Sequence, residues 1–172
     1  MKKIFLFIGF FGFHINLYSQ NIASARDQGE GAIVTISGVV TNGDELGGPI
    51  RYIEDATAGL AIYDPVVMSN VNRGDSITVT GVLVDYNGLL EVQPVNELIN
   101  HGSGYAINPQ IITPNQISEN TESELVSIEN VEFENAGQVF SVGTHNFESG
   151  SQSGIIYIKA GSSLENKLIP SC

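Results

Sequence analysis

The stretch Arg51–Asp64, RYIEDATAGLAIYD, decides how the chain is read. Apolar residues alternate with polar ones on both sides of Asp55-Ala56-Thr57-Ala58-Gly59, a five-residue link that ends on glycine. Period-two alternation around such a link predicts a β-hairpin. Its strands are expected at Ile50–Asp55 and Leu60–Asp64, with Ile53, Leu60 and Ile62 pointing inward and Tyr52, Glu54, Ala61 and Tyr63 outward.

Outward from the hairpin lie two longer β-branched runs that share one device. Ala32–Thr41 (AIVTISGVVT) is interrupted by Gly38, and Asp75–Tyr86 (DSITVTGVLVDY) by Gly81. A glycine inside a strand marks a bend, a bulge or a close backbone approach. Two long strands, each bent once, let a small barrel turn its corners and close. Asn87-Gly88 predicts a two-residue hairpin turn into Leu89–Gln93, and Pro94 is expected to end that fifth strand. Pro65–Arg73 leaves room for one helical turn between the third and fourth strands. Five strands with a non-strand insertion after the third is the order of an OB-fold, a five-stranded Greek-key barrel. A β-sandwich needs about seven strands. The expected class is therefore all-β, with an OB-fold-like barrel over residues 21–104, entered through a short helix near Ile22–Arg26.

A second β unit is expected over residues 105–172. Thr113-Pro114 should cap a short helix through Ser118. Leu125–Phe133 (LVSIENVEF) repeats the first strand at a shift of 92 residues, and Gly154–Lys159 (GIIYIK) answers Gly59–Tyr63 (GLAIY). Glu129-Asn130 stands where Ser37-Gly38 would, so the glycine bend is not copied. No counterpart of Asp75–Val92 follows. The unit thus reads as an incomplete OB-like copy, truncated at its C-terminus, because a half barrel leaves strand edges that soluble proteins avoid.

Residues 1–20 have the form of a signal peptide. Lys2 and Lys3 precede the apolar run Ile4–Phe13, and cleavage is expected near Ser19 or Gln20. The run is shorter than the roughly 20 residues a membrane span requires. The expected destination is outside the cytoplasm: periplasm, outer surface or medium. The chain's net charge of −12 becomes −14 once Lys2 and Lys3 are removed, with five basic residues facing nineteen acids. Such a surface opposes long-range attraction to nucleic acid or anionic lipid. The single cysteine, Cys172, allows no intrachain disulfide.

Motifs for catalysis are missing. His101 and His145 lie in Gly- and Asn-rich stretches without zinc-site spacing and are expected on the solvated surface. No GxSxG elbow, phosphate loop or paired-carboxylate pattern occurs, so no catalytic residue is nominated and no cofactor is expected. Asp55, Asp64 and Asp85 could offer oxygens to calcium, but the DxDxDG spacing is absent. The candidate binding residues are aromatic. Tyr52 and Tyr63 share the outer face of strands two and three, with Arg51 beside them and Tyr86 at the edge. In OB-folds this face stacks single-stranded nucleic acid, at about 1–3 kcal/mol per base. The bland alternative is that the tyrosines cover the barrel or pack against the second unit.

YIEDATAGLAIYD, followed by GDSITVTGVLVDYNGLLEV, resembles an OB-like module of secreted bacterial proteins, often found beside extracellular endonuclease/exonuclease/phosphatase-type nuclease domains. Tyr52 through Gly59 carry the likeness, with Gly74-Asp75 opening strand four and Ala25, Arg26, Gly29 and Gly31 as the lead-in. The resemblance implies a non-catalytic accessory module that binds nucleic acid or another substrate, with the catalytic domain in a part of the protein beyond residue 172. The alternative is a structural spacer or a cell-surface interaction module that binds protein or glycan.

Overall fold

The structure is a computed structural model that describes residues 19–171. The signal peptide expected over residues 1–20 lies outside them except for Ser19 and Gln20, and so does Cys172. A short helix, α1 (Ile22–Arg26), leads into β1 (Ile33–Val40), β2 (Ile50–Glu54), β3 (Gly59–Tyr63), β4 (Ser76–Tyr86) and β5 (Leu89–Gly102). These five strands close into a barrel in the order β1-β2-β3-β5-β4, with β4 returning to β1. Neighbours are antiparallel except β3 and β5, which run parallel. This is the expected OB-like barrel. The insertion after β3 shrinks to a single 3₁₀ turn, Met68–Asn70, whose buried Met68 joins the core.

Alternation fills the interior. Val34, Ile36, Ile53, Leu60, Ile62, Ile77, Val79, Leu83 and Val92 are almost wholly buried in one cluster, and Ile22 and Ala25 of α1 close one end of it. Burying side chains of this size contributes about 1.5–3 kcal/mol each, so they dominate the favourable side of folding.

Both strand glycines sit where the barrel turns. β1 pairs with β4 through Val39 and then with β2 through Val39 and Val40. A Cβ on Gly38 would stand 2.7 Å from the Glu54 carbonyl oxygen of β2. At Gly81 the β4–β5 register shifts, Gly81 facing Val95 while Leu83 faces Val92. A Cβ there would meet Val92 Cγ1 at 2.4 Å and the Pro94 carbonyl oxygen at 2.5 Å.

The same irregularity corrects the expected end of β5. The strand runs through Pro94 to Gly102. Gln93 and Pro94 fall in the gap between the paired residues Val92 and Val95, so the missing proline N–H costs no ladder bond. Asn87-Gly88 is the predicted tight turn: both residues have positive φ, and Asp85 Oδ1 accepts from Gly88 N at 2.7 Å.

The second unit holds two small sheets. β6 (Gln110–Ile111) pairs parallel with β7 (Val126–Ser127), and β8 (Val131–Phe133), β9 (Gly143–Ser149) and β10 (Gln152–Ile158) form an antiparallel meander. The Leu125–Phe133 run, expected as one strand, is broken into β7 and β8 around Asn130 at φ 53°. The Thr113-Pro114 helix is a 3₁₀ turn, Pro114–Gln116, with a capping box. Phe140, Ile158 and Ile169 make a small core, with Phe133 edge-on to Phe140. His145 belongs to this core and not to the solvated surface. It alternates inward on β9 with Phe147, its Nε2 lies 2.8 Å from the Ser141 carbonyl oxygen, and its ring meets Phe140 edge-on. Among the described residues no helix is long and apolar enough to cross a membrane.

Because a Cβ on Gly81 would press on the buried Val92 side chain and on the Pro94 backbone, Gly81→Ala should destabilise the barrel by about 1–3 kcal/mol. Urea unfolding measures it, and an unchanged midpoint would show that the β4–β5 crossing is slack.

Candidate functional site

Two contacts hold the second unit against the barrel, and a cleft opens between them. At one, Arg26 pairs with Glu122 at 2.8 Å, Glu54 accepts from Leu125 N, and Gly59 packs directly under the Ser123 backbone. At the other, Ser163 N donates to the Glu45 carbonyl at 2.7 Å, and a Cβ on Gly47 would strike the Gly161 backbone. The cleft has a volume of about 1020 Å³.

The barrel wall of the cleft is set by register. Tyr52 faces Ala61 across β2–β3, and Ala61 faces Glu91 across β3–β5, so the three lie in one row. Ala61 is wholly buried and small, which leaves the Tyr52 ring and the Glu91 carboxyl on either side of it. Tyr63, Tyr86 and Leu89 extend the same wall. The opposite wall is β10 and the loop after it, including Tyr157, Lys159 and Leu164.

Three of the four predicted binding residues therefore meet: Tyr52, Tyr63 and Tyr86 all line the cleft, the last of them 61% exposed at its mouth. Arg51 does not join them. Residues i and i+2 of a strand share a face, so Arg51 sides with Ile53, away from Tyr52. Its side chain is buried at the barrel end. Nε donates to the Val71 carbonyl at 2.9 Å, Nη1 to the Gly43 carbonyl at 3.1 Å, and Nη2 pairs with Asp44 at 2.7 Å. It ties the β1–β2 loop to the segment before β4, and it offers no charge to a ligand on the tyrosine face.

Electrostatics of the cleft follow from burial. Glu91 has only 3% of its surface exposed, and burial raises its carboxyl pKa above the ordinary value. The Tyr52 hydroxyl is also pushed up, first by burial and then by the negative charges of Glu91 and Glu122. The aspartates considered for calcium are occupied locally. Asp55 and Asp64 accept from backbone amides of the turns they begin, and Asp85 accepts from Gly88 N. A second hollow of about 420 Å³ beside the β2–β3 turn is lined by Glu54, Asp55 and Glu124. Among the described residues no three acids, histidines or cysteines gather as a metal site would require.

Glu91, Tyr157 and Lys159 were not singled out from sequence. Glu91 carried a signal, since alternation from Leu89 puts it on one face with the tyrosine row. Tyr157 and Lys159 carried none, because their place depends on how the second unit docks.

No family model matches the chain, and no curated protein and no solved structure matches it.

Arg51→Ala leaves buried carbonyls without a donor and should cost about 2–4 kcal/mol in thermal or urea unfolding. Asp44 is almost fully exposed, so Asp44→Ala should cost less than about 1 kcal/mol. Equal losses would mean that the ion pair, not the carbonyl bonds, carries the contribution.

Glu91 supplies a test by pH. Its folded pKa lies above the unfolded one, so its favourable contribution is present below the unfolded value and is lost as pH rises through the folded one. Glu91→Gln should match the parent below about pH 4 and be more stable at neutral pH. Urea midpoints across that range read the difference, and a neutral-pH loss would reverse the assignment.

Proposed function

We propose that this chain is a non-catalytic binding module of an exported protein, and that it takes an uncharged or cationic ligand in the cleft faced by Tyr52, Tyr63 and Tyr86. The observation that carries this reading is the row Tyr52–Ala61–Glu91 with Arg51 turned away from it. An aromatic wall beside a buried carboxyl suits rings, apolar chains and hydrogen-bond donors. It carries no cation itself, the far wall supplies Lys159 alone where a phosphate backbone is held by several, and the net charge of −12 adds long-range repulsion. Of the two partner classes considered from sequence, this composition favours a protein- or glycan-like ligand over single-stranded nucleic acid. A role in holding substrate for a secreted nuclease or other hydrolase rests on the resemblance of Tyr52–Gly59 alone.

The test is a side-chain NMR screen of the whole chain, which has six tyrosines and no tryptophan. Uncharged and cationic ring-bearing compounds should shift the Tyr52 and Tyr63 resonances, and oligothymidylate at physiological salt should not. Tyr52→Ala combined with Tyr63→Ala should remove binding while the Gly38 and Gly81 backbone signals stay in place. Oligothymidylate binding that depends on those two tyrosines would restore the nucleic-acid reading.

A further inference from the structure

β10 meets the cleft by its edge. Ile156, Tyr157, Ile158 and Lys159 line it in succession, and successive side chains of a strand point to opposite faces. What consecutive residues share is the strand's edge, where peptide groups are presented. β10 is the outer strand of its sheet, hydrogen-bonded to β9 alone.

The turn between β9 and β10 decides which peptide groups are free. Only Gly150 and Ser151 separate Ser149 from Gln152, so these two form a hydrogen-bonded pair. Counting along the ladder, Gly154 and Ile156 bond to β9, while Ile155 and Tyr157 direct their N–H and C=O groups the other way. No backbone bond joins either of these residues to another segment of the described chain. Their side chains are 62% and 64% exposed. Gln152–Ile158 itself carries no charge, no proline and no register shift, while the Pro114–Gln116 turn packs on β10, with Asn115 N donating to Gln152 Oε1 at 3.2 Å at the start of the strand.

Across the cleft, the barrel wall brings Glu91 and Glu45, and Lys159 is the one cation among the lining residues. The cleft thus joins the outward peptide groups of Tyr157 to an aromatic wall with negative charge, and the same strand edge continues past the cleft to Ile155. We propose that it captures an extended peptide, which adds as a strand to the free edge of β10 and lays a lysine or arginine side chain between the tyrosines and Glu91. This rests on the binding reading of the same cleft and names its ligand class. Main-chain bonds to Ile155 and Tyr157 supply affinity, and alternate side chains against Tyr52, Tyr63 and Leu89 supply selectivity.

The experiment displays a random octapeptide library to the whole chain, then resynthesises the enriched peptide with single N-methyl groups along its backbone. Enriched peptides should alternate apolar residues and carry a basic one. Methylating amides that face β10 should weaken binding about tenfold, the value of one lost hydrogen bond, while methylating the alternate amides should not. Tyr157→Pro removes one edge donor without breaking a ladder bond and should weaken binding similarly, and Glu91→Gln should abolish the preference for a basic residue. No enrichment, or indifference to methylation, overturns the proposal. So does binding of cellohexaose at the cleft tyrosines, which leaves the cleft reading standing with a glycan ligand. A concentration-dependent dimer in sedimentation that Tyr157→Pro disperses also overturns it, with a second copy as the occupant. If no compound shifts Tyr52 or Tyr63 at all, the cleft reading itself fails.

Discussion

The Asp55 carboxylate ties the β2–β3 turn to α1, and through α1 the barrel reaches the second unit. Its Oδ1 accepts from Thr57 N at 2.7 Å, Thr57 Oγ1 at 2.5 Å and Ala58 N at 3.1 Å, which fixes the β2–β3 turn. Its Oδ2 accepts from Ile22 N at 2.8 Å, which seats α1 on the barrel end. Burial opposes the charge, but these bonds outweigh it and lower the carboxyl pKa. With α1 seated, Arg26 reaches the Gly59 carbonyl at 3.0 Å and Glu122 of the second unit at 2.8 Å. The hairpin that carries Tyr52 and Tyr63 is thereby fixed to both the helix and the second unit. The opposite wall of the cleft is held as well at the other contact, where Ser163 N donates to the Glu45 carbonyl.

Electrostatics then separate the two charged strand residues that flank the tyrosine face. Arg51 and Glu91 are both nearly inaccessible, at 3% each, yet they stand in different surroundings. Arg51 has its donors matched by backbone carbonyls, so its charge is spent inside the protein. Glu91 lies beside Ala61 and Tyr52 and faces the cleft, where a ligand could meet it. A buried carboxylate without a matched cation is costly, and a donor or cation entering the cleft relieves that cost. The proposed preference for cationic or hydroxyl-bearing ligands rests on this asymmetry, not on the overall acidity of the surface.

Much of the barrel was legible in the sequence because its signals are local. Alternation gave β2 and β3, Asn87-Gly88 gave the β4–β5 turn, and Gly38 and Gly81 marked the two places where strands crowd. Pro94 misled because a proline's effect depends on which ladder positions bond, and that pairing is set by the bulge opposite it. The direction of Arg51 was available from its two-residue spacing to Ile53 but was masked by its neighbour Tyr52 in the chain. His145 gave a polar reading in a glycine-rich stretch, although Phe147 two residues on shows the inward alternation of β9. The far wall of the cleft could not be read at all. It comes from Gly47 against Gly161 and Glu54 against Leu125, contacts between segments more than seventy residues apart.

The two units apply one three-strand plan with different outcomes. β1–β2–β3 and β8–β9–β10 are both antiparallel meanders in sequence order. In the barrel, Gly38 lets β1 cross closely over β2 and turn from one partner to the other, while β3 finds β5 along its outer edge. In the second unit the corresponding run carries Asn130 in place of that glycine and breaks into β7 and β8, two and three residues long. Strands that short cannot turn a corner and close a sheet, so within residues 19–171 the meander stops at three strands. The edge of β10 that closure would have used is left facing Tyr52, Tyr63 and Glu91. The absence of a glycine bend at Asn130 thus goes with a sheet that stays open and gives its outer strand to one wall of the cleft.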